Sequence, residues 1–138
     1  MQKRLITALF GLVALAAAGA AASSLGTPST PFPTGTFLQK ITAADLYRAG
    51  LDPNDAHWDR LTFRADGTWT DIWFHPRVAS QPPARGRYVV RGDTVRFLGT
   101  PDTVRWHYAA NKLTFAIVHV PDPLARLGYI AHPWQKIN

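Results

Sequence analysis

The chain has 138 residues, enough for one domain with a real core and too few for two. Its 15 Lys and Arg outweigh nine acidic residues, all of them Asp, for a formal net charge of +6, and it has no cysteine. That composition excludes disulfide staples, a cysteine nucleophile and a lipid-modified cysteine. The basic residues are scattered rather than blocked, which argues against a dedicated nucleic-acid binder. Stability must come from the core, and five Trp, four Tyr and seven Phe make such a core plausible.

The first residues read as a targeting segment. Met1-Gln2-Lys3-Arg4 is a short basic head, Leu5 to Ala18 an apolar run, and Ala20-Ala21-Ala22 offers the small residues a signal peptidase reads. A signal peptide over 1–22 is therefore expected, with secretion of the remainder. The apolar stretch is Ala- and Gly-rich with no charge cluster after it, so a stable membrane anchor is the weaker reading. The exported chain should begin between Ser23 and Leu25, and loss of Lys3 and Arg4 removes two of its six net charges. N-terminal sequencing checks this, and retention of Met1–Ala22 in exported material would overturn it.

Residues 23–33 are rich in Ser, Thr, Pro and Gly and read as an extended leader. The barrel domain is expected over 34–138. A first strand spans 34–41. Two short helices follow in the reading: Thr42 caps the first, with Asp45 three residues on and Gly50 as its stop, and Asp52 caps the second with Pro53 at its first position. Hairpins follow at turn signals roughly every 8 to 12 residues, the spacing of small all-β folds. Leu61–Phe63 and Trp69–Trp73 flank a loop with Gly67, which pairs Phe63 with Trp69 and Leu61 with Asp71. Gly86–Arg91 and Thr94–Leu98 flank Gly92-Asp93, pairing Val90 with Val95 and Tyr88 with Phe97. Thr103–Ala109 and Lys112–Val118 flank Ala110-Asn111, pairing Tyr108 with Leu113 and Trp106 with Phe115. A helical turn is expected around Leu124–Leu127 and a last strand over Tyr129–Ile137.

In that register one face collects Leu61, Phe63, Trp69, Trp73, Tyr88, Val95, Phe97, Trp106, Tyr108, Leu113 and Phe115. The opposite face collects Arg64, Arg87, Arg91, Arg96, Arg105 and His107. A one-residue slip would invert every hairpin, so the pattern specifies the pairing. One apolar face shared by many antiparallel strands must be covered, and closure also removes the edges. The expectation is an all-β, eight-stranded, mainly antiparallel up-and-down barrel with a short helix-turn-helix between strands 1 and 2.

Gly35-Thr36-Phe37, Asp45-Leu46, Ala49-Gly50-Leu51, Asp66-Gly67-Thr68-Trp69, Gly86-Arg87-Tyr88, Gly92-Asp93-Thr94-Val95 and His132-Pro133-Trp134 carry a resemblance. Together with the order of elements they resemble the calycin superfamily, more closely the secreted lipocalin-like domains of actinobacteria, over about residues 34–137. Absence of Cys and Glu beside abundant Ala, Arg, Asp and Pro fits a GC-rich bacterial source. The resemblance implies a lipocalin-like barrel and carries no functional residues across. Phe37 stands where a true lipocalin has Trp two residues after the first-strand Gly.

Asp71 is the sharpest candidate for function, because it shares the inward face with Trp69 and Trp73. A buried carboxylate requires a partner or neutralisation, so it either meets a ligand's polar group or is satisfied at the rim by solvent, Tyr88 or Tyr108. With Tyr88, Trp106 and Tyr108 these residues form the expected ligand-binding set, joined by Leu46 and Tyr47 from a helical lid. The same rings could simply fill a small barrel. His57, His75, His107, His119 and His132 show no metal-ligand spacing, so neither a metal nor another cofactor is expected. No serine sits in a nucleophile motif and no catalytic residue is assigned. The leading expectation is a secreted monomer binding a small apolar or aromatic molecule. The alternatives are a protease-inhibitor-like module presenting 26–31 or loop 76–83 to an extracellular protein, and an isomerase or cyclase using Asp71 with a Tyr.

Overall fold

Alternation of apolar and polar residues, punctuated by residues that accept left-handed backbone, builds a closed barrel in which each strand pairs with the next. A computed structural model describes residues 30–79 and 81–138; the expected signal peptide and the leader as far as residue 29 lie outside the described residues. The strands are β1 (Gly35–Ile41), β2 (His57–Phe63), β3 (Thr68–Phe74), β4 (Ala84–Arg91), β5 (Thr94–Leu98), β6 (Thr103–Ala109), β7 (Lys112–His119) and β8 (Trp134–Lys136). All pairings are antiparallel, in the order β1 to β8, and β8 returns to β1 to close the barrel.

The three hairpin registers follow from the turns. Phe63 pairs with Trp69 and Leu61 with Asp71. Tyr88 pairs with Phe97 and Val90 with Val95. Trp106 pairs with Phe115 and Tyr108 with Leu113. Ala110 and Asn111 both take positive φ, 49° and 61°, the left-handed pair that matches the strand twist in a two-residue turn. The tight turns gather at one end of the barrel. There Phe32, inside the segment expected to be a free leader, inserts its ring 4.9 Å from Phe63 and 5.3 Å from Trp106.

The other end carries the longer connections. Thr42 and Asp45 form a reciprocal capping box at the start of α1 (Ala43–Arg48). The expected second helix is instead a three-residue 3₁₀ turn, Pro53–Asp55, so the helix-turn-helix reduces to one helix followed by a turn. Only four residues, Pro53 to Ala56, separate Asp52 from the strand that begins at His57, which leaves no room for a further helical turn. A larger correction falls near the C-terminus. Asp122 accepts from the Ala125 amide and Pro123 opens α2 (Pro123–Ile130), so Tyr129 and Ile130 are helical rather than the start of the last strand. That strand is only Trp134–Lys136.

Phe37, Phe63, Val95, Phe97, Val104 and Leu113 are buried in the barrel, while Arg87, Arg91, Arg96 and Arg105 stand exposed outside it. Two exposed exterior aromatics are covered by cations, Trp58 by Lys40 and Phe74 by Arg60, each 5.2 Å from the ring centre. Opposite the tight turns, α1 is tied to the C-terminal segment. His132 Nε2 lies 2.7 Å from the buried Asp45 carboxylate, and Gln39 donates to the His132 carbonyl. Burial works against the Asp45 charge, but hydrogen bonds from Thr42 and His132 outweigh it and hold this carboxyl at about 2.

Candidate functional site

β2 reads His57-Trp58-Asp59-Arg60-Leu61-Thr62-Phe63, and its alternate residues point inward: polar at the open end, apolar deeper in. β3 does the same with Trp69, Asp71 and Trp73. Because Asp59 pairs with Trp73 and Leu61 with Asp71, the two carboxylates are diagonal neighbours on the inner face. They border a cavity of about 420 Å³ at the open end. Trp69, Trp73, Leu61 and Phe97 form its apolar walls. Thr100 and Asp102 enter from the β5–β6 connection, and α2 closes one side with Leu124, Ala125, Gly128 and Tyr129.

Backbone space shapes this wall. Gly86 pairs with Trp69, and a Cβ at Gly86 would come within 3.0 Å of the Trp69 indole nitrogen. Glycine therefore lets the ring lie across β4, where its N–H donates to the Arg87 carbonyl at 3.2 Å. Tyr129 is fixed from two directions. Its ring packs 5.6 Å from both Phe97 and Phe115, and its hydroxyl donates to Asp102 at 3.1 Å. Burial, together with the Asp102 charge, pushes that hydroxyl far above its ordinary range, so it remains a donor.

The polar end is unusual in its protonation. His57, 6% exposed, lies with Nδ1 2.6 Å from the Asp55 carbonyl and Nε2 3.1 Å from Asp59 Oδ2. A carbonyl can only accept, so Nδ1 carries a proton and donates to Asp55, and the carboxylate beside Nε2 favours a second proton, and so a positive charge, there. Burial opposes that charge, but the Asp59 and Asp55 contacts outweigh it and raise the histidine above its usual value. Asp71 differs: the His57 charge and the Ile72 amide favour its carboxylate but do not offset burial. Its Oδ1 is fully buried with no hydrogen-bond partner, and burial with the neighbouring Asp59 charge pushes the carboxyl up to about 7.

Of the residues expected from the sequence to bind a ligand, Trp69, Asp71 and Trp73 border the cavity. Tyr88, Trp106 and Tyr108 lie outside its lining and pack on the core, with hydroxyl or indole donors spent on Arg64, Gly92 and Asn111 respectively. Leu46 is buried away from the cavity, and Tyr47 is 76% exposed on α1. The helix beside the cavity is α2, not the 42–57 segment, of which only His57 reaches it. Asp59, Asp102, Asp122 and Tyr129 were missed. Continuing the Phe63, Leu61 alternation back two steps reaches Asp59 and His57, so a signal existed for that pair. None existed for the others, which come from connections.

Among the described residues, no three His, Asp, Cys or Glu side chains are placed to hold a metal ion. No family model matches the chain, and neither a curated protein nor a solved structure matches it. The barrel and its cavity are therefore what define the class: a closed, eight-stranded antiparallel β-barrel with an aromatic, acid-lined pocket at one end.

Proposed function

We propose that this protein is a secreted, lipocalin-like binding protein that holds a small apolar or aromatic molecule at the open end of its barrel. The observation that carries the reading is the cavity of about 420 Å³ walled by Trp69, Trp73 and Phe97. It falls in the size range and composition of small-molecule sites, apolar with a few convergent polar groups. The basic head and apolar run of 1–22 support export, and the order of strands supports the calycin-like assignment.

Tryptophan fluorescence tests it, since Trp69, Trp73 and Trp134 all border the cavity. Titration with fatty acids, porphyrins and polycyclic aromatics should give a saturable change with at least one class. Gly128→Leu is the matched blocking variant. A Cβ there would meet only Asp59 Oδ2, at 4.0 Å, and Gly128 borders the cavity, so the added side chain takes up cavity space. Leucine also favours a helix over glycine by about 1 kcal/mol. Affinity should fall about tenfold or more with the melting temperature unchanged or raised. Unchanged affinity would place the ligand elsewhere, and no saturable response at all would end the container reading in favour of the protein-binding module.

A second reading, a proton-transfer enzyme of the isomerase or cyclase type, is favoured by one observation. Asp71, held up to about 7, can both give and take a proton near neutral pH. Recovery of an altered ligand after incubation would select it.

A further inference from the structure

We infer, resting on the container reading above, that the cavity is built for a cation: it selects a small aromatic or alicyclic molecule carrying one ammonium group and rejects carboxylates. The first support is the charge inventory. In a chain with a net charge of +6, four of the nine carboxylates, those of Asp59, Asp71, Asp102 and Asp122, border this one cavity, and no lysine or arginine does. The only cation there is His57. Both its ring nitrogens are already engaged, with the Asp55 carbonyl and with Asp59, so neither is free to meet an incoming carboxylate.

The second support is an acceptor without a donor. Asp71 Oδ1 is inaccessible to water and lacks a hydrogen-bond partner. The carboxyl as a whole borders the cavity, so a charge left under-satisfied at the covered Oδ1 favours a cation brought to its cavity face. The third is the placement of rings. Trp69 and Trp73 stand two residues to either side of Asp71 on the same face, so an ammonium at Asp71 has indoles beside it. An organic cation suits this better than a bare metal ion, because the described carboxylates do not converge on one point. The aromatic walls would take the ligand's apolar body.

A set of three probes on one skeleton tests the inference: naphthylmethylamine, naphthylmethanol and naphthoic acid, titrated by tryptophan fluorescence on the full exported chain above about pH 8, where the Asp71 carboxylate is ionised. The amine should bind about tenfold or more tighter than the alcohol, and the acid more weakly than either. Asp71→Asn, a neutral side chain of the same shape, should bring the amine down to about the affinity the variant shows for the alcohol. The amine's affinity should also rise as pH increases through about 7, because its carboxylate partner forms there. The groups that face Asp71 act on the same curve: Asp59 and His57 from β2, and Asp102 and Tyr129 from the loop and helix across the cavity. Deprotonation of His57 at higher pH moves affinity in the same direction. Equal binding of the three probes, preference for the acid, or retained amine selectivity in Asp71→Asn would overturn the cation inference while leaving a container. Binding of none of the three while a fatty acid or porphyrin binds would likewise overturn the cation inference, and no saturable response to any of these probes would remove the container reading itself.

Discussion

Replacing Asp71 by Asn should make the protein more stable above about pH 8, by about 2–4 kcal/mol. The folded state holds the Asp71 carboxyl up to about 7, well above the ordinary carboxylate range, chiefly through burial and then through the Asp59 charge. A group whose pKa rises on folding binds its proton more tightly when folded. Its protonated form is therefore fully accommodated in acid, and folding is progressively weakened as pH rises from the carboxylate range to about 7. Asparagine has no charge to bury, so the variant should lose that dependence and match the parent only in acid. His57, also raised on folding, adds a loss of the same sign at higher pH. Thermal melts of both proteins across the pH range check the expectation. A variant that melts lower than the parent at alkaline pH would show that the Asp71 carboxylate holds the barrel together. Stability lost at a residue beside a cavity is the usual signature of a site kept for binding rather than folding.

Phe63→Ala should cost about 3–5 kcal/mol, the range for truncating a buried aromatic residue. Phe63 is 1% exposed and sits at the crossing of four rings, with Phe32 at 4.9 Å, Tyr88 at 5.1 Å, Phe97 at 6.0 Å and Phe37 at 6.3 Å. Neighbours held by antiparallel hydrogen bonds on both sides cannot close over the void, so the loss includes a cavity term as well as transfer. Arg96→Ala, on the exposed face of β5, should stay within about 0.5 kcal/mol of the parent. Denaturant unfolding of both variants measures the contrast. Similar costs at the two positions would contradict the inward and outward assignment of these strands. The Phe63 change also reaches Phe32, whose ring packs at the tight-turn end, so the variant should expose that ring's segment to proteolysis before the barrel unfolds.

Local rules wrote the barrel into the sequence. Each hairpin register was legible because a period of two and a turn of defined length leave one pairing that puts Phe63, Trp69, Tyr88, Phe97, Trp106 and Phe115 on a common face. The α1 cap was legible for the same kind of reason, since Thr42 and Asp45 satisfy each other within one turn. Tyr129 shows where local reading ends. It falls within the last strand expected over Tyr129–Ile137, but Asp122 and Pro123 start a helix whose Tyr129 ring packs against Phe97 and Phe115. The cavity was decided only by the tertiary structure. Whether inward rings fill a barrel or surround a space depends on the distances between opposite strands and on what closes the ends, and neither is encoded in spacing along the chain. Phe32 and the tight turns fill one end. At the other, Tyr129 and Gly128 of α2 border the same cavity as Trp73, and His57, Asp59, Asp71 and Asp102 meet there from three separate stretches of sequence. Their charges act on one another only through that meeting, because it is burial beside the Asp59 charge that pushes Asp71 up to about 7.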